Sequence, residues 1–168
     1  MTKFAMLVKN MGVDKMDFSQ LAQLLAKRQL TLTSAESLTS GTFQSQLAAT
    51  PQASAVYPGG FITYATTAKT KILGVPEHLI AQHGVVSPQV ALKMAVRARK
   101  IVATDFALAF TGAAGPNDLD GTPVGTVCIG LAGQAIDTAK TYHFSGEPQE
   151  IMAQSCQAGL ELLASYLR

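Results

Sequence analysis

Residues 29–41 read QLTLTSAESLTSG, and the fold class follows from the pattern of this segment. Residues 29–34 alternate apolar and polar side chains and are rich in threonine, which predicts a β-strand. Residues 35–41 are small and bear hydroxyl groups, as in a tight turn. Residues 41–49 then predict a helix that ends before Thr50-Pro51, because the residue before a proline disfavours helical backbone. A strand that leads through a turn into a helix is the repeating unit of α/β folds.

The same alternation continues along the chain. Further strands are predicted at residues 61–64, 106–110, 124–131 and 135–144, and further helices at 17–28, 67–73, 87–101 and 147–167, with a short helix starting at Pro76. The last two strands follow one another without a helix, so one of them runs against the others. The sequence therefore predicts an α/β protein, a three-layer α/β/α sandwich whose mixed sheet is mainly parallel with one antiparallel strand.

Composition limits the functional classes. The chain has 168 residues, 48% of them hydrophobic and only 14% charged, with a net charge of +2. These values predict one folded domain over residues 17–168, preceded by an N-terminal extension at 1–16. No basic stripe typical of a nucleic-acid partner is present, and no apolar run is long enough for a membrane span. We therefore expect a cytoplasmic protein.

Metal and cofactor motifs are also missing from the sequence. Cys128 and Cys156 lie in separate apolar segments and lack the spacing of zinc ligands. Neither the phosphate-binding P-loop nor the dinucleotide GxGxxG pattern occurs. The sequence therefore predicts no metal site and no cofactor.

Three loops are expected to meet at one edge of the sheet, namely residues 35–41, 64–69 and 111–116. Each follows a predicted strand, and ligands of open α/β sheets bind beyond the carboxyl ends of the strands. Helix N-termini and free backbone N–H groups at such an edge favour an anionic group such as phosphate.

Ser37 is the candidate nucleophile, although its position also suits a serine that caps the following helix, as Thr39 or Ser40 would. A serine nucleophile needs a base. Either a histidine (His78, His83 or His143) or Lys69 could serve, and the lysine would act as a neutral amine if burial lowered its pKa. The residues alone leave these alternatives open.

Five runs resemble the CinA C-terminal domain family, in its stand-alone form that acts as a nicotinamide-nucleotide amidase. They are TSAESLTSG (33–41), GGFITYATTAKTKILGV (59–75), QHGVVS (82–87), TGAAGP (111–116) and PVGTV (123–127). The resemblance covers about residues 17–167. It implies that nicotinamide mononucleotide is hydrolysed to nicotinic acid mononucleotide and ammonia, and that the chain forms a homo-oligomer, a dimer.

The resemblance also implies site residues. Ser37 would be the nucleophile, Lys69 its base, and Tyr64 the residue that orients the pair. Backbone N–H groups near Gly41 or Gly112 would hold the oxyanion. The expected substrate-binding residues are Glu36, Thr39, Gly41, Thr111, Gly112 and Gly115.

The chain departs from the family pattern at several points. Leu38 and Ser40 stand in a motif that often reads ESCTGG, and Thr66 lies where the family pattern YSNEAK has an amide. The segment Phe144 to Pro148 lacks an arginine that many relatives carry there. The alternative function is therefore a CinA-like domain that binds a nucleotide or a protein with weak or no catalysis.

Overall fold

A computed structural model describes residues 16–167 of the chain. The predicted N-terminal extension, apart from its last residue, lies outside the described residues. The helices are α1 (Phe18–Lys27), α2 (Thr42–Ala48), α3 (Ala53–Val56), α4 (Thr66–Lys71), α5 (Glu77–His83), α6 (Pro88–Val102) and α7 (Pro148–Tyr166). The strands are β1 (Leu32–Glu36), β2 (Phe61–Ile62), β3 (Phe106–Gly112), β4 (Thr126–Ala132) and β5 (Asp137–His143).

The five strands form one sheet in the order β2-β1-β3-β4-β5. β1 pairs in parallel with β2 and with β3, whereas β4 pairs antiparallel with both β3 and β5. Four strands therefore share one direction and only β4 opposes them, which confirms the predicted mixed sheet with one antiparallel strand. Since β1 lies between two parallel partners, the residue after it emerges at the sheet's carboxyl edge between β2 and β3.

Helices cover both faces of the sheet, as the sandwich prediction requires. One face buries a large apolar cluster with α1, α2 and α7, centred on Phe43 and Phe110. The other face carries a smaller, alanine-rich cluster beneath α6, which includes Met94 and Ala109. Small side chains let this helix lie close to the strands, and Gly130 of β4 has no room for a side chain because a methyl group there would overlap the Ala91 carbonyl oxygen.

β1 begins and ends later than predicted. It spans Leu32–Glu36 rather than residues 29–34, and all five of its residues are buried. Gln29 adopts a positive φ of 58° directly after α1, so it belongs to the end of the helix. Alternation is a signal of half-buried strands, and it fails for a central strand that is covered on both faces. As a result, Ala35 and Glu36 belong to the strand and not to the turn.

Caps fix the N-termini of two helices. A capping box opens α1 and Ser87 caps α6, with Asp17 accepting from the Gln20 N–H and Ser87 from the Val90 N–H. Ile101, near the end of α6, is 47% exposed. The sequence analysis missed α3, which at four residues is too short for a helical period.

Candidate active site

Ser37 directly follows β1 and is held by main-chain contacts. Its N–H donates to the Phe110 carbonyl of β3 at 2.9 Å, and its own carbonyl accepts from the Ser40 N–H at 3.1 Å. The chain then passes through two left-handed residues, Ser40 at φ 46° and Gly41 at φ 93°, and enters α2. This tight turn leaves the Ser37 side chain at the carboxyl edge of the sheet, 8% exposed.

The N-terminus of α2 is capped by Glu36 and not by a hydroxyl group. The Glu36 carboxylate is fully buried and accepts hydrogen bonds from the N–H groups of Gly41 (3.0 Å), Phe43 (3.1 Å) and Gln44 (2.9 Å). The N-cap residue Gly41 has no side chain to offer. The capping interpretation of Ser37, Thr39 or Ser40 is therefore wrong.

This cap also changes two expectations about ligands. Glu36 was expected to bind substrate, but its carboxylate is occupied by the protein's own backbone. The helix N-terminus beyond β1 was expected to favour an external anion, but Glu36 already supplies an internal one. The N-terminus of α2 is therefore not open to an anionic ligand.

Lys69 reaches Ser37 from the neighbouring edge of the sheet. β2 runs beside β1, with the Thr63 N–H donating to the Glu36 carbonyl at 2.8 Å, and the chain turns at Ala65 into α4. Lys69 lies in this helix and is 1% exposed. Its Nζ atom is 2.9 Å from Ser37 Oγ, 2.9 Å from the Thr63 carbonyl and 3.0 Å from the Tyr64 carbonyl.

Burial lowers the pKa of Lys69 to about 8 from its ordinary value of 10.5. The physical cause is desolvation, because an ammonium group loses its hydration in the interior. A substantial fraction of the protein molecules then carries a neutral Lys69 amine in mildly alkaline solution. The partly desolvated lysine that the sequence analysis considered is therefore present.

Tyr64 contacts the pair differently from what the resemblance implied. Its side chain is 69% exposed, and the atom next to Ser37 and Lys69 is its main-chain carbonyl. The Ser37 hydroxyl lies 3.3 Å from that carbonyl. In the structure the Tyr64 main-chain carbonyl, and not its phenol, contacts the Ser37–Lys69 pair. Thr63, which the sequence analysis missed, contributes a second carbonyl, and a main-chain acceptor leaves no side-chain signal in a sequence.

The remaining expected site residues lie in or near the same edge. The Thr111 hydroxyl donates to the Val85 carbonyl at 2.8 Å and so links β3 to the loop before α6. Gly112 permits close approach of β4, because a methyl group there would meet the Thr126 carbonyl oxygen at 2.8 Å. Gly115 has a φ of 93°, and Thr39 is fully buried with a side-chain oxygen that has no hydrogen-bond partner among the described residues.

The histidine alternative loses its support. The Ser37 side chain contacts Lys69 and a main-chain carbonyl, while His78 and His143 are exposed and His83 lies at the end of α5. A neutral amine with two N–H groups on carbonyl oxygens would direct its lone pair at the third neighbour, which is the Ser37 hydroxyl. The arrangement can therefore remove a proton from Ser37.

Fold and site together define an α/β sandwich with a buried serine–lysine pair at the carboxyl edge of its sheet. The model of the CinA C-terminal domain family matches residues 16–167. The chain therefore belongs to the CinA family, as its sequence motifs indicated.

Similar proteins agree with this membership. A curated protein from Levilactobacillus brevis, whose name places it among competence-damage inducible proteins, is 48% identical over 94% of this chain and 38% of its own length. A protein of the same name from Lactiplantibacillus plantarum is 47% identical over 86% of this chain and 34% of its own length. The chain thus spans little more than a third of these relatives.

Solved structures cover the described domain almost completely. A CinA superfamily protein from Escherichia coli superposes with a TM-score of 0.86 at 32% identity, covering 92% of this chain and 93% of that one. A competence or damage-inducible protein from Enterobacter asburiae gives a TM-score of 0.87 at 30% identity over 91% of this chain and 99% of that one.

None of the helices within residues 16–167 has the length and apolar character that crossing a membrane requires.

Three of the departures from the family pattern have a clear structural setting. Leu38 is 4% exposed and belongs to the larger apolar cluster, so it adds to the core beneath the turn. Pro148 is the first residue of α7, where a missing N–H is tolerated. Thr66 opens α4 with an exposed side chain.

Proposed function

We propose that this chain is a serine amidohydrolase that hydrolyses a primary carboxamide, with nicotinamide mononucleotide as its substrate. The observation that carries the proposal is the 2.9 Å contact between Lys69 Nζ and Ser37 Oγ, made by a lysine that is 1% exposed. A lysine without solvent around it is a base at mildly alkaline pH, and a serine hydroxyl is the group it can deprotonate.

In the first step Ser37 Oγ attacks the carboxamide carbon while its proton passes to the neutral Lys69 amine. The Thr63 and Tyr64 carbonyls hold that amine in place through its other hydrogens. The protonated lysine then delivers the proton to the leaving nitrogen, the carbon–nitrogen bond breaks, and ammonia departs. Water next attacks the acyl group on Ser37, releasing the carboxylic acid and restoring the hydroxyl. Carboxamide and water are consumed; acid and ammonia are formed.

The negative charge on the tetrahedral intermediate needs backbone donors. The Gly41 N–H donates to Glu36 Oε2, so of the two glycines expected near the oxyanion we assign the role to Gly112. A single donor of this kind commonly contributes about 3 kcal/mol to the transition state.

The test is ammonia release from nicotinamide mononucleotide by wild type, Ser37→Ala and Lys69→Met. We expect both variants to lose roughly a thousandfold or more in kcat, because each removes one half of a cooperating pair. In wild type the rate should rise with pH through about 8 as Lys69 loses its proton.

Matched controls are available in the same elements. Lys71→Met removes an exposed lysine of α4, and Ser45→Ala removes an exposed serine of α2. Both should keep the wild-type rate. If Ser37→Ala and Lys69→Met release ammonia as fast as these controls, the proposal is wrong. Thermal stabilisation of wild type by the nucleotide without turnover would instead support the alternative of a binding domain.

A further inference from the structure

The turn that carries Ser37 is built around one buried carboxylate. Glu36 directly precedes Ser37 in the chain. Its side chain reaches across the turn that follows Ser37 and accepts hydrogen bonds at the N-terminus of α2. Its Oε1 atom also lies 3.3 Å from the Ser34 hydroxyl, which donates to it. With four donors the buried carboxylate is well satisfied, and the strand before Ser37 is tied to the helix after it.

Removing this cap would loosen the turn that follows the nucleophile. The Ser37 backbone is fixed to β3 through the Phe110 carbonyl, but the return from Ser37 to Thr42 is closed by the Ser40 and Thr42 N–H groups and by the carboxylate. Gly41 has no side chain that could replace it, and Ser40 has a positive φ, which a residue other than glycine holds only where its surroundings enforce it.

We infer that Glu36 is a positioning residue, whose carboxylate sets the turn that presents Ser37 Oγ to Lys69. The inference rests on the proposed function to the extent that Ser37 is the nucleophile. Glu36 makes its hydrogen bonds to Ser34 and to the backbone of α2 and its N-cap, not to Lys69 or the Ser37 hydroxyl, so it acts through the backbone. The contacts that carry this effect are the hydrogen bonds it accepts from the N–H groups of Gly41, Phe43 and Gln44.

The decisive variant is Glu36→Gln, which keeps the side chain's length but turns an NH₂ group towards backbone donors. We expect kcat to fall roughly ten- to hundredfold through misplacement of Ser37, with little change in KM, because no substrate contact is removed. Glu36→Asp keeps the charge but is one methylene too short to reach the helix, and we expect it to lose kcat as well. Rates are divided by the folded fraction from circular dichroism.

Asp105→Asn is the matched control. The Asp105 carboxylate accepts hydrogen bonds from the Thr31 N–H and hydroxyl, at 2.8 Å each. Thr31 directly precedes β1, so these contacts lie at the opposite end of the strand from Ser37. This variant should lose stability and keep its kcat per folded molecule. If both Glu36 variants keep wild-type kcat per folded molecule, or if they raise KM alone, Glu36 does not position the nucleophile.

A second readout separates this inference from the proposed function. A small fluorophosphonate forms a bond from Ser37 Oγ to phosphorus, with loss of fluoride and of the hydroxyl proton, and needs no amide substrate. Wild type should be labelled at Ser37 at least tenfold faster, as an order of magnitude, than Glu36→Gln. Labelling that depends on Glu36 without ammonia release would overturn the proposed substrate chemistry alone. Labelling at equal rates would overturn the positioning role, and no labelling of wild type would overturn both.

Discussion

Ser40 holds a backbone conformation that most residues avoid. Its φ of 46° lies in the left-handed region, where the side chain of an L-residue crowds the following carbonyl. The residue is exposed, so no packing of its side chain offsets this strain. The turn between β1 and α2 therefore contains a local defect that a glycine would relieve.

We expect Ser40→Gly to raise the free energy of unfolding by about 1 kcal/mol. Urea unfolding followed by circular dichroism measures the change. Ser45→Gly, in the middle of α2 and equally exposed, should do the opposite and lower stability by about 0.5 kcal/mol through helix propensity. A loss of stability in Ser40→Gly would show that the left-handed turn is not strained.

At the scale of single residues, side chains were predictable and main-chain contacts were not. The residues alone made Ser37 and Lys69 candidates beside a capping role and three histidines, and the family resemblance selected the pair. The Thr63 and Tyr64 carbonyls, which hold the lysine, belong to residues of any type. The resemblance implied that Glu36 binds substrate, and its contact with α2 was not predictable because it depends on where β1 ends.

α6 packs closely against the sheet. Gly130 of β4 lies against the Ala91 carbonyl, and the strands beneath the helix carry mostly alanines. The atoms that a methyl group at position 130 would meet belong to the backbone of α6, so a change of side-chain rotamer could not make room for it. The interface therefore depends on the absence of a side chain at one position.

We expect Gly130→Ala to lower the free energy of unfolding by about 2 kcal/mol, in the range of overpacked cores. Chemical denaturation gives the value. Lys140→Ala on the exposed edge strand β5 serves as the control and should change stability by less than about 0.5 kcal/mol. Equal stabilities of wild type and Gly130→Ala would mean that α6 can move away from β4 without penalty.

At the scale of elements, existence was easier to predict than boundaries. The long helices α1, α6 and α7 carry caps and periods that a sequence displays, and each was predicted close to its observed range. β1 was misplaced because a strand buried on both faces has no alternation. β2 was predicted to be twice as long as it is, because only Phe61 and Ile62 of this edge strand pair with β1.

Across the whole molecule, the buried lysine couples stability to pH. The pKa of Lys69 in the folded chain is about 8, below its ordinary 10.5. Below pH 8 both the folded and the unfolded chain keep the proton, so the free energy of unfolding does not change through this group. Between these two pKa values the unfolded chain binds more protons, and stability therefore rises with pH.

We expect wild type to gain on the order of 3 kcal/mol relative to Lys69→Met as the pH is raised from 8 to 10.5. Denaturant unfolding of both proteins at a series of pH values measures the difference. Lys71→Met should run parallel to wild type, because Lys71 is exposed. A constant difference between wild type and Lys69→Met across this range would show that Lys69 titrates normally.

The architecture as a whole could be predicted because it follows from the order of elements. Strand–helix alternation gave the parallel part of the sheet, and two successive strands gave the antiparallel one. What the order cannot supply is which buried polar groups meet, since this depends on register. Ala35 pairs with Phe61 on one side and with Ala109 on the other, and that register brings α4 to Ser37.

The internal cap of α2 has a consequence for ligand choice. Because the protein neutralises its own helix terminus, the nucleophile's turn places no demand on the charge of the molecule that docks there. Under the proposed function, discrimination between a neutral amide and a phosphorylated one falls to other segments of the chain. Selectivity can then change while the serine–lysine pair stays the same.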